Sequence, residues 1–376
     1  MTDYIKSMQP FIQQAWEKAG FTEPTAIQEE ATPLILQKKD VIAESPTGTG
    51  KTIAYLLPIL QQIDTEKKDV QAVILASSQE LVMQILEQIQ EWSQGSGMKS
   101  ASFIGGANTK RQLEKLKKKP HIIAGTPGRL AELVKMKKLK MHEVKTIVLD
   151  EGDQLLIPEH EQTIEQIIKS TLKDRQLVLF SATVPEQVEK KAASLMKEPE
   201  KVKVSHDKKA LGKVEHLYVV CEEREKIEVV NSIVKNQQIK ALAFVNDIGE
   251  VNVIGEKLSF KKVDVGVLHS ETKKQEREHA IKRFRSGDTS LLVATDLASR
   301  GLDIQELTHV IQMDVPRDGK QYIHRAGRTG RSGAEGTVIS LVEPREERSL
   351  KRAAKEAGVK LDERELKRGR LVEIKK

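Results

Sequence analysis

Residues 45–52 read Ser45-Pro46-Thr47-Gly48-Thr49-Gly50-Lys51-Thr52, a glycine-containing turn that ends in a lysine and a hydroxyl. A short apolar run, Val41-Ile42-Ala43, precedes it, and Ile53, Leu56, Leu57 and Leu60 follow at helical spacing. Strand, turn and helix start are the context in which backbone N–H groups close around phosphate oxygens. Gly48 and Gly50 leave room for that approach, and a helix N-terminus favours the anion. Lys51 is suited to the β- and γ-phosphates, and the Thr52 hydroxyl to Mg²⁺. Ser45 stands where the pattern has its first glycine, so three of its four fixed positions are met. The ligand this stretch predicts is a nucleoside triphosphate.

Two further groups could act on the same phosphates. Asp150-Glu151-Gly152-Asp153 follows the apolar residues 146–149. Acids at the end of a buried strand, one crossover from a phosphate loop, can hold Mg²⁺ through one carboxylate and activate water through the next. Arg325, Arg328 and Arg331 are spaced by three, with Gly327 and Gly330 between them. Each glycine weakens a helix by about 1 kcal/mol, so this is a poor solvated helix face. It reads better as a turn offering guanidinium groups to a multivalent anion.

The elements that must position these groups are legible as a pattern. Residues 1–40 read as helical, with Phe11, Ile12, Ala15 and Trp16 on one face and Gly20 ending the helix. From Val41 onward, apolar runs at 72–76, 101–104, 121–124, 146–149 and 177–180 alternate with amphipathic helices. Leu81, Ile85, Ile89 and Trp92 mark one such helix. The polar stretch 206–213 is expected to be a linker between a first domain, 1–205, and a second, 214–376. Runs at 217–221, 241–245, 263–268, 291–294, 310–313 and 338–342 restart the alternation, without a second phosphate loop. The last residues, 345–376, read as a closing helix and a short basic end. The fold class expected is α/β, two parallel sheets each covered by helices on both faces.

At 376 residues two domains are more natural than one. No apolar run approaches the roughly 20 residues of a membrane span, and the N-terminus has no signal-peptide stretch. Cys221 is alone and set beside Val219 and Val220, so it is expected to be a buried strand residue. These features suit a reducing cytoplasm. The net charge of +7 and pI near 9.1 point to a polyanionic partner. Aromatics make up only 3%, too few for rows of stacked bases, so contacts should fall on the phosphate backbone. Lysine runs at 115–119 and 135–140 read as solvated helix faces.

The order of motifs resembles a DEAD-box RNA helicase with little beyond the two-domain core. Besides the phosphate loop and the acidic stretch, the resemblance is carried by Phe21 and residues 24–28, Gly105-Gly106, and Thr126-Pro127-Gly128-Arg129. Ser181-Ala182-Thr183, residues 294–303 and residues 324–331 complete it. It implies two tandem RecA-like domains and an RNA-stimulated ATP hydrolase that separates RNA duplexes locally or remodels RNA–protein complexes. Phe21 would stack on adenine, and Gln28 would hydrogen-bond its edge. Residues 45–52 and Thr52 with Asp150 would hold ATP and Mg²⁺, and Glu151 would be the base. Asp303 would contact the ribose, while Arg328 and Arg331 would reach the γ-phosphate as arginine fingers from the other half. Asp153, Ser181, Thr183 and His324 would couple ATP to RNA. Gly106, Thr126, Arg129, Arg277 and Thr295 would line the RNA backbone, single-stranded or locally opened. The resemblance also makes a cytoplasmic monomer plausible, with ribosomal precursors among its RNAs.

The chain departs from the family pattern at three places. Gly152 replaces the usual alanine, a small loss of side chain. Gln79 replaces an RNA-contacting arginine in Ser77-Ser78-Gln79-Glu80-Leu81-Val82, and Lys274 begins a block that reads Lys274-Gln275-Glu276-Arg277. A slow-turnover RNA clamp and a DNA helicase are the competing readings. The adenine-reading stretch argues against the DNA helicase.

Overall fold

The computed structural model of the chain describes residues 3–46, 48–204, 214–236, 239–299, 307–330, 334–367 and 370–374. Contacts divide the chain into two compact units, Met1–His206 and Asp207–Lys376.

In the first unit the strands are β1 Val41–Glu44, β2 Ala72–Leu75, β3 Ser100–Phe103, β4 Ile122–Gly125, β5 Thr146–Asp150, β6 Gln176–Ser181 and β7 Glu200–Lys203. The helices are α1 Asp3–Lys6, α2 Pro10–Lys18, α3 Ala26–Leu36, α4 Lys51–Gln62, α5 Gln79–Trp92, α6 Thr109–Lys117, α7 Pro127–Lys135, α8 Gly152–Leu155, α9 Pro158–Lys169 and α10 Glu186–Leu195. All strands run parallel, in the order β3-β4-β2-β5-β6-β1-β7. Parallel strands buried on both faces need apolar residues at every position. In β5, Val148 faces one core with Val178 and Phe180, while Ile147 and Leu149 face the other with Leu177 and Leu179. Helix α5 buries Ile85, Ile89 and Trp92 of the expected stripe, with Val82 buried in place of the half-buried Leu81, and Ser78 caps its start by accepting from Leu81 N at 3.1 Å.

The topology matters for the site. β6 lies between β5 and β1, so the ends of these three strands bring the acidic residues, residues 181–183 and the phosphate loop to one edge. Ligands in open parallel sheets bind outside the carboxyl ends of the strands.

In the second unit the strands are β8 Val214–Val220, β9 Ala241–Phe244, β10 Val265–Leu268, β11 Leu291–Ala294, β12 His309–Gln312, β13 Gly336–Val342, β14 Asp362–Lys367 and β15 Arg370–Glu373. Helices α11 Glu223–Asn236, α12 Ile248–Phe260, α13 Lys274–Ser286, α14 Asp296–Ser299, α15 Gly319–Ala326 and α16 Glu347–Glu356 connect them. The order β10-β11-β9-β12-β13-β8-β14 repeats the first unit strand for strand, and β15 adds an antiparallel edge. Cys221 is buried, and burial pushes its thiol up to about 11, as an inert core residue.

Two edges differ from the sequence reading. β7 carries Glu200, Lys201 and Lys203 around one buried valine, so it has no apolar run. The end expected to be a basic tail after the closing helix instead forms β14 and β15, with only Leu366, Leu371 and Val372 apolar. Edge strands with charged residues resist pairing with other chains. The same feature hides them in a sequence.

Asp40 fastens the β7 edge. Its Oδ1 accepts from Leu177 N at 2.8 Å and its Oδ2 from Lys197 N at 2.7 Å. Burial raises its pKa, and the two backbone donors partly offset this. Asp40→Ala would leave both donors unmet, at about 1–3 kcal/mol each. Urea denaturation followed by Trp16 and Trp92 fluorescence should show the first unit destabilised by about 2–6 kcal/mol. An unchanged midpoint would refute this role for Asp40.

Candidate functional site

The phosphate loop closes on itself. Gly50 has φ 85° and Gly48 φ 79°, the left-handed region that glycine enters freely. Lys51 Nζ donates to the carbonyls of Ser45 at 2.6 Å and Pro46 at 2.7 Å. The Ser45 and Thr49 hydroxyls meet at 2.7 Å, and Thr49 Oγ1 donates to Pro46 O at 2.8 Å. Thr47 lies outside the described residues.

The residues before α3 are built onto this loop. Thr25 caps α3 with Gln28 in a reciprocal capping box, and Gln28 Oε1 accepts from Thr25 N at 3.0 Å. Thr25 Oγ1 donates to Thr49 O at 2.7 Å, and Gln28 Nε2 to Gly50 O at 3.3 Å. A side chain at position 50 would begin 2.5 Å from Gln28 Nε2, so the glycine is required for the approach as well as for its φ. Phe21 stacks on Trp92 at 6.0 Å and 24°, with its ring 44% exposed. Trp16 meets its edge at 5.2 Å. An exposed aromatic ring backed by two others is a rigid platform.

The acidic turn is held by hydroxyls. Asp150 is buried, and its Oδ2 accepts from the Tyr55 hydroxyl at 2.8 Å. Burial, and then the neighbouring Glu151 charge, push Asp150 up to about 6, against the opposing pull of Tyr55 and Lys51. Glu151 is left-handed, at φ 55°, and accepts from Ser77 Oγ. Asp153 accepts from Ser181 Oγ at 2.8 Å and Thr183 Oγ1 at 3.1 Å. Ser45 N donates to Ser181 O at 3.0 Å. The phosphate loop, residues 181–183 and the acidic turn thus form one hydrogen-bonded set. Gly152 is more than a lost methyl, because Leu179 occupies the space its side chain would take. Tyr55 and Ser77 escaped the sequence reading because their partners lie 95 and 74 residues away.

A second group lies at the ends of β3 and β4. Gly106 has φ 68°, and Thr126 occupies the N-cap of α7, its N–H donating to Phe103 O at 3.0 Å. Arg129 Nη1 donates to Thr109 Oγ1 at 2.8 Å and pairs with Glu132, so it braces the loop carrying Gly106. The Gln79 amide lies 3.9 Å from where a Gly106 side chain would begin. The lysines of 115–119 and 135–140 are exposed, in line with the solvated reading.

Residues 25–191 match the DEAD/DEAH box helicase family, and residues 225–333 match the helicase conserved C-terminal domain. The chain is 55% identical over 360 residues to "Probable ATP-dependent RNA helicase YfmL" of Bacillus subtilis, covering 96% of each. It is 54% identical over 372 residues to DEAD-box ATP-dependent RNA helicase CshC of Bacillus cereus, covering 99% of this chain and 95% of that one. The chain belongs to the DEAD-box ATP-dependent RNA helicases. Among solved structures, S. cerevisiae Dbp5 bound to RNA and ADP BeF3 superposes with TM-score 0.88 at 30% identity, over 95% of this chain and 94% of that one. Both units are RecA-like parallel sheets, and the helicase is an ATP hydrolase that binds RNA. No helix among the described residues is long and apolar enough to cross a membrane.

In the helicase's second unit, Arg277 and Thr295 both bond to Ala298 of the short helix α14. Arg277 Nη2 donates to Ala298 O at 2.7 Å, and buried Thr295 Oγ1 accepts from Ala298 N at 3.3 Å, before and within α14. His324 and Arg328 are half-buried, in α15 and the turn after it. Asp303, Arg331 and the Lys274 side chain lie outside the described residues.

The three-arginine reading needs one correction. Arg325 does not face an anion site, because it is fully buried. Its Nε donates to Asp296 Oδ1 at 2.9 Å, its Nη1 to Asp314 O at 2.8 Å and its Nη2 to Asn246 Oδ1 at 2.8 Å, over the Phe244 ring. It joins β9, β12, α14 and α15. Arg325→Ala would strand Asp296 and remove this joint, at about 3 kcal/mol. Hydrogen exchange of the β9 and β12 amides should quicken by about two decades. Normal protection together with lost ATP hydrolysis would instead put Arg325 at the phosphates.

Proposed function

We propose that Glu151 is the general base of ATP hydrolysis, while Lys51, Thr52 and Asp150 hold the triphosphate and Mg²⁺. The observation that carries this reading is a pair of acids held by neutral hydroxyls, with Asp150 within electrostatic reach of Lys51. Structural acids usually take cationic partners. Asp150 and Glu151 keep their charge available for a ligand.

The residues present fit Mg²⁺. Among the described residues no three His, Cys, Asp or Glu side chains gather as a metal cage. The protein therefore offers one carboxylate and one hydroxyl, and phosphates and water complete the shell, as is usual for this ion. Burial makes ionised Asp150 costly, a cost a dication offsets. When bound, Mg²⁺ would neutralise charge on the phosphate oxygens. Lys51 would turn from the Ser45 and Pro46 carbonyls to the same oxygens. Phe21 would stack on adenine, and the Gln28 amide has one hydrogen and one lone pair left to read its edge. Asp303 would contact the ribose. Arg328 and Arg331, supplied by the second unit, would complete the positive charge, and Asp153, Ser181, Thr183 and His324 would relay RNA binding to the ATP site.

RNA is proposed to run past Gly106, Thr126 and Arg129 of the first unit and Arg277 and Thr295 of the second. The helix starts beside Gln79 and Thr126 favour phosphate. Contacts of this kind do not read sequence, and the 2′-hydroxyls favour RNA over DNA. Local duplex opening in a reducing cytoplasm fits the chain, with ribosomal precursors as one substrate class. The deciding experiment is single-turnover unwinding of matched RNA and DNA duplexes. RNA should open and DNA should not; equal opening would refute the RNA path.

Two outcomes follow from the residue roles. Glu151→Gln keeps the volume and an acceptor but cannot take a proton from water. Turnover should fall by at least about 10²-fold while ATP-dependent RNA retention persists. Near-normal turnover would remove Glu151 as base. RNA affinity should fall with salt, with a log–log slope on the order of 2–4, and change little with base sequence. A steep sequence preference would contradict backbone recognition.

A further inference from the structure

We infer that Gly152 and Leu179 are a size-matched pair that sets the height of the acidic turn over β6, and so positions Glu151 and Asp153. The inference rests on the proposed roles of those two acids and names what holds them in place.

A Cβ built on Gly152 would lie 2.5 Å from Leu179 Cγ, 2.7 Å from Cδ1 and 2.8 Å from Cδ2. Carbon pairs prefer about 3.5–4.0 Å. Rotating the end of the leucine cannot clear the contact, because Cγ itself is the nearest atom and moves only with the first torsion. That swing is also blocked. Leu179 is fully buried, with Ile42 and Leu149 as its neighbours across the sheet and the second core around it. A methyl at position 152 must therefore lift α8 from β6.

The lift would be felt at the chemistry. Glu151, at φ 55° and ψ 52°, is the N-cap of α8. Asp153 lies in the first turn of α8 and is tied to Ser181 at 2.8 Å and Thr183 at 3.1 Å. Ser181 is two residues beyond Leu179, on the same face of β6. One strand face thus supplies both the spacer under the turn and the hydroxyl that tethers it. Misplacing a catalytic group by about 1 Å can cost 10²-fold, so a few tenths of an ångström is expected to matter. Gly152 stands where the family usually has alanine, and here the missing methyl is matched by the branch of Leu179.

The test is a cycle of Gly152→Ala, Leu179→Ala and the double variant in the full chain, with poly(U)-stimulated ATP hydrolysis and thermal unfolding measured for each. Gly152→Ala, although it restores the commoner residue, should lower kcat by about tenfold with KM for ATP within about threefold. The double variant should regain kcat to within about threefold of Leu179→Ala alone. Wild-type kcat in Gly152→Ala would overturn the inference, as would a loss the double variant keeps. If Gly152→Ala does not fold, a folded double variant supports the clash and an unfolded one overturns it. Glu151→Gln reports the base role separately, since no change at 152 or 179 can restore a missing carboxylate.

Discussion

The site depends on an acidic turn whose carboxylates each accept from a hydroxyl. Asp150 takes Tyr55, Glu151 takes Ser77, and Asp153 takes Ser181 and Thr183. A hydroxyl satisfies a lone pair without cancelling charge, so the negative potential survives in a low-dielectric setting. Glu165 shows the opposite arrangement. It lies between Lys169 and Lys191, which hold its carboxyl down at about 2. Such an acid is spent on its own neighbours. The acidic turn instead sits on apolar strands, and Asp150 and Glu151 accept from neutral hydroxyls.

The duplicated strand order shows how far function is separable from scaffold. β8 occupies in the second sheet the place of β1 in the first, yet the residues after it are Cys221, Glu222, Glu223, Arg224 and Glu225. Acids at the start of α11 repel phosphate where glycines at the start of α4 admit it. Lys226 is buried and donates to Met313 O at 2.9 Å, with Glu223 at 2.7 Å. It anchors the strand ends, and the second sheet keeps the crevice without the ligand chemistry.

What was legible in the sequence had its information in one stretch. The phosphate loop is contiguous, and its flanking strand and helix announce themselves by apolar period. Buried parallel strands read well for the same reason. β7, β14 and β15 did not, because an edge strand needs few apolar residues and these carry mostly charge. Tyr55 and Ser77 were silent because a hydrogen bond across 95 or 74 residues leaves no local mark. Arg325 was misread for a related reason. A spacing of three says that residues neighbour one another on a helix, not which of them turns inward, and here Asp296, Asn246 and the Asp314 carbonyl decide it.

Gln79 illustrates how a missing charge need not mean a missing contact. It is the first residue of α5, after the Ser78 cap, and its amide lies against Gly106. An arginine there would add a full charge, but the helix start already presents a positive dipole end. A neutral amide keeps two N–H donors at this place while releasing one fewer counterion than an arginine would. Under the proposed RNA path, the substitution therefore trades part of the salt-dependent affinity for a weaker contact at the same place. An RNA held less tightly by fixed charge also leaves sooner, since the lost charge contact would otherwise slow its release.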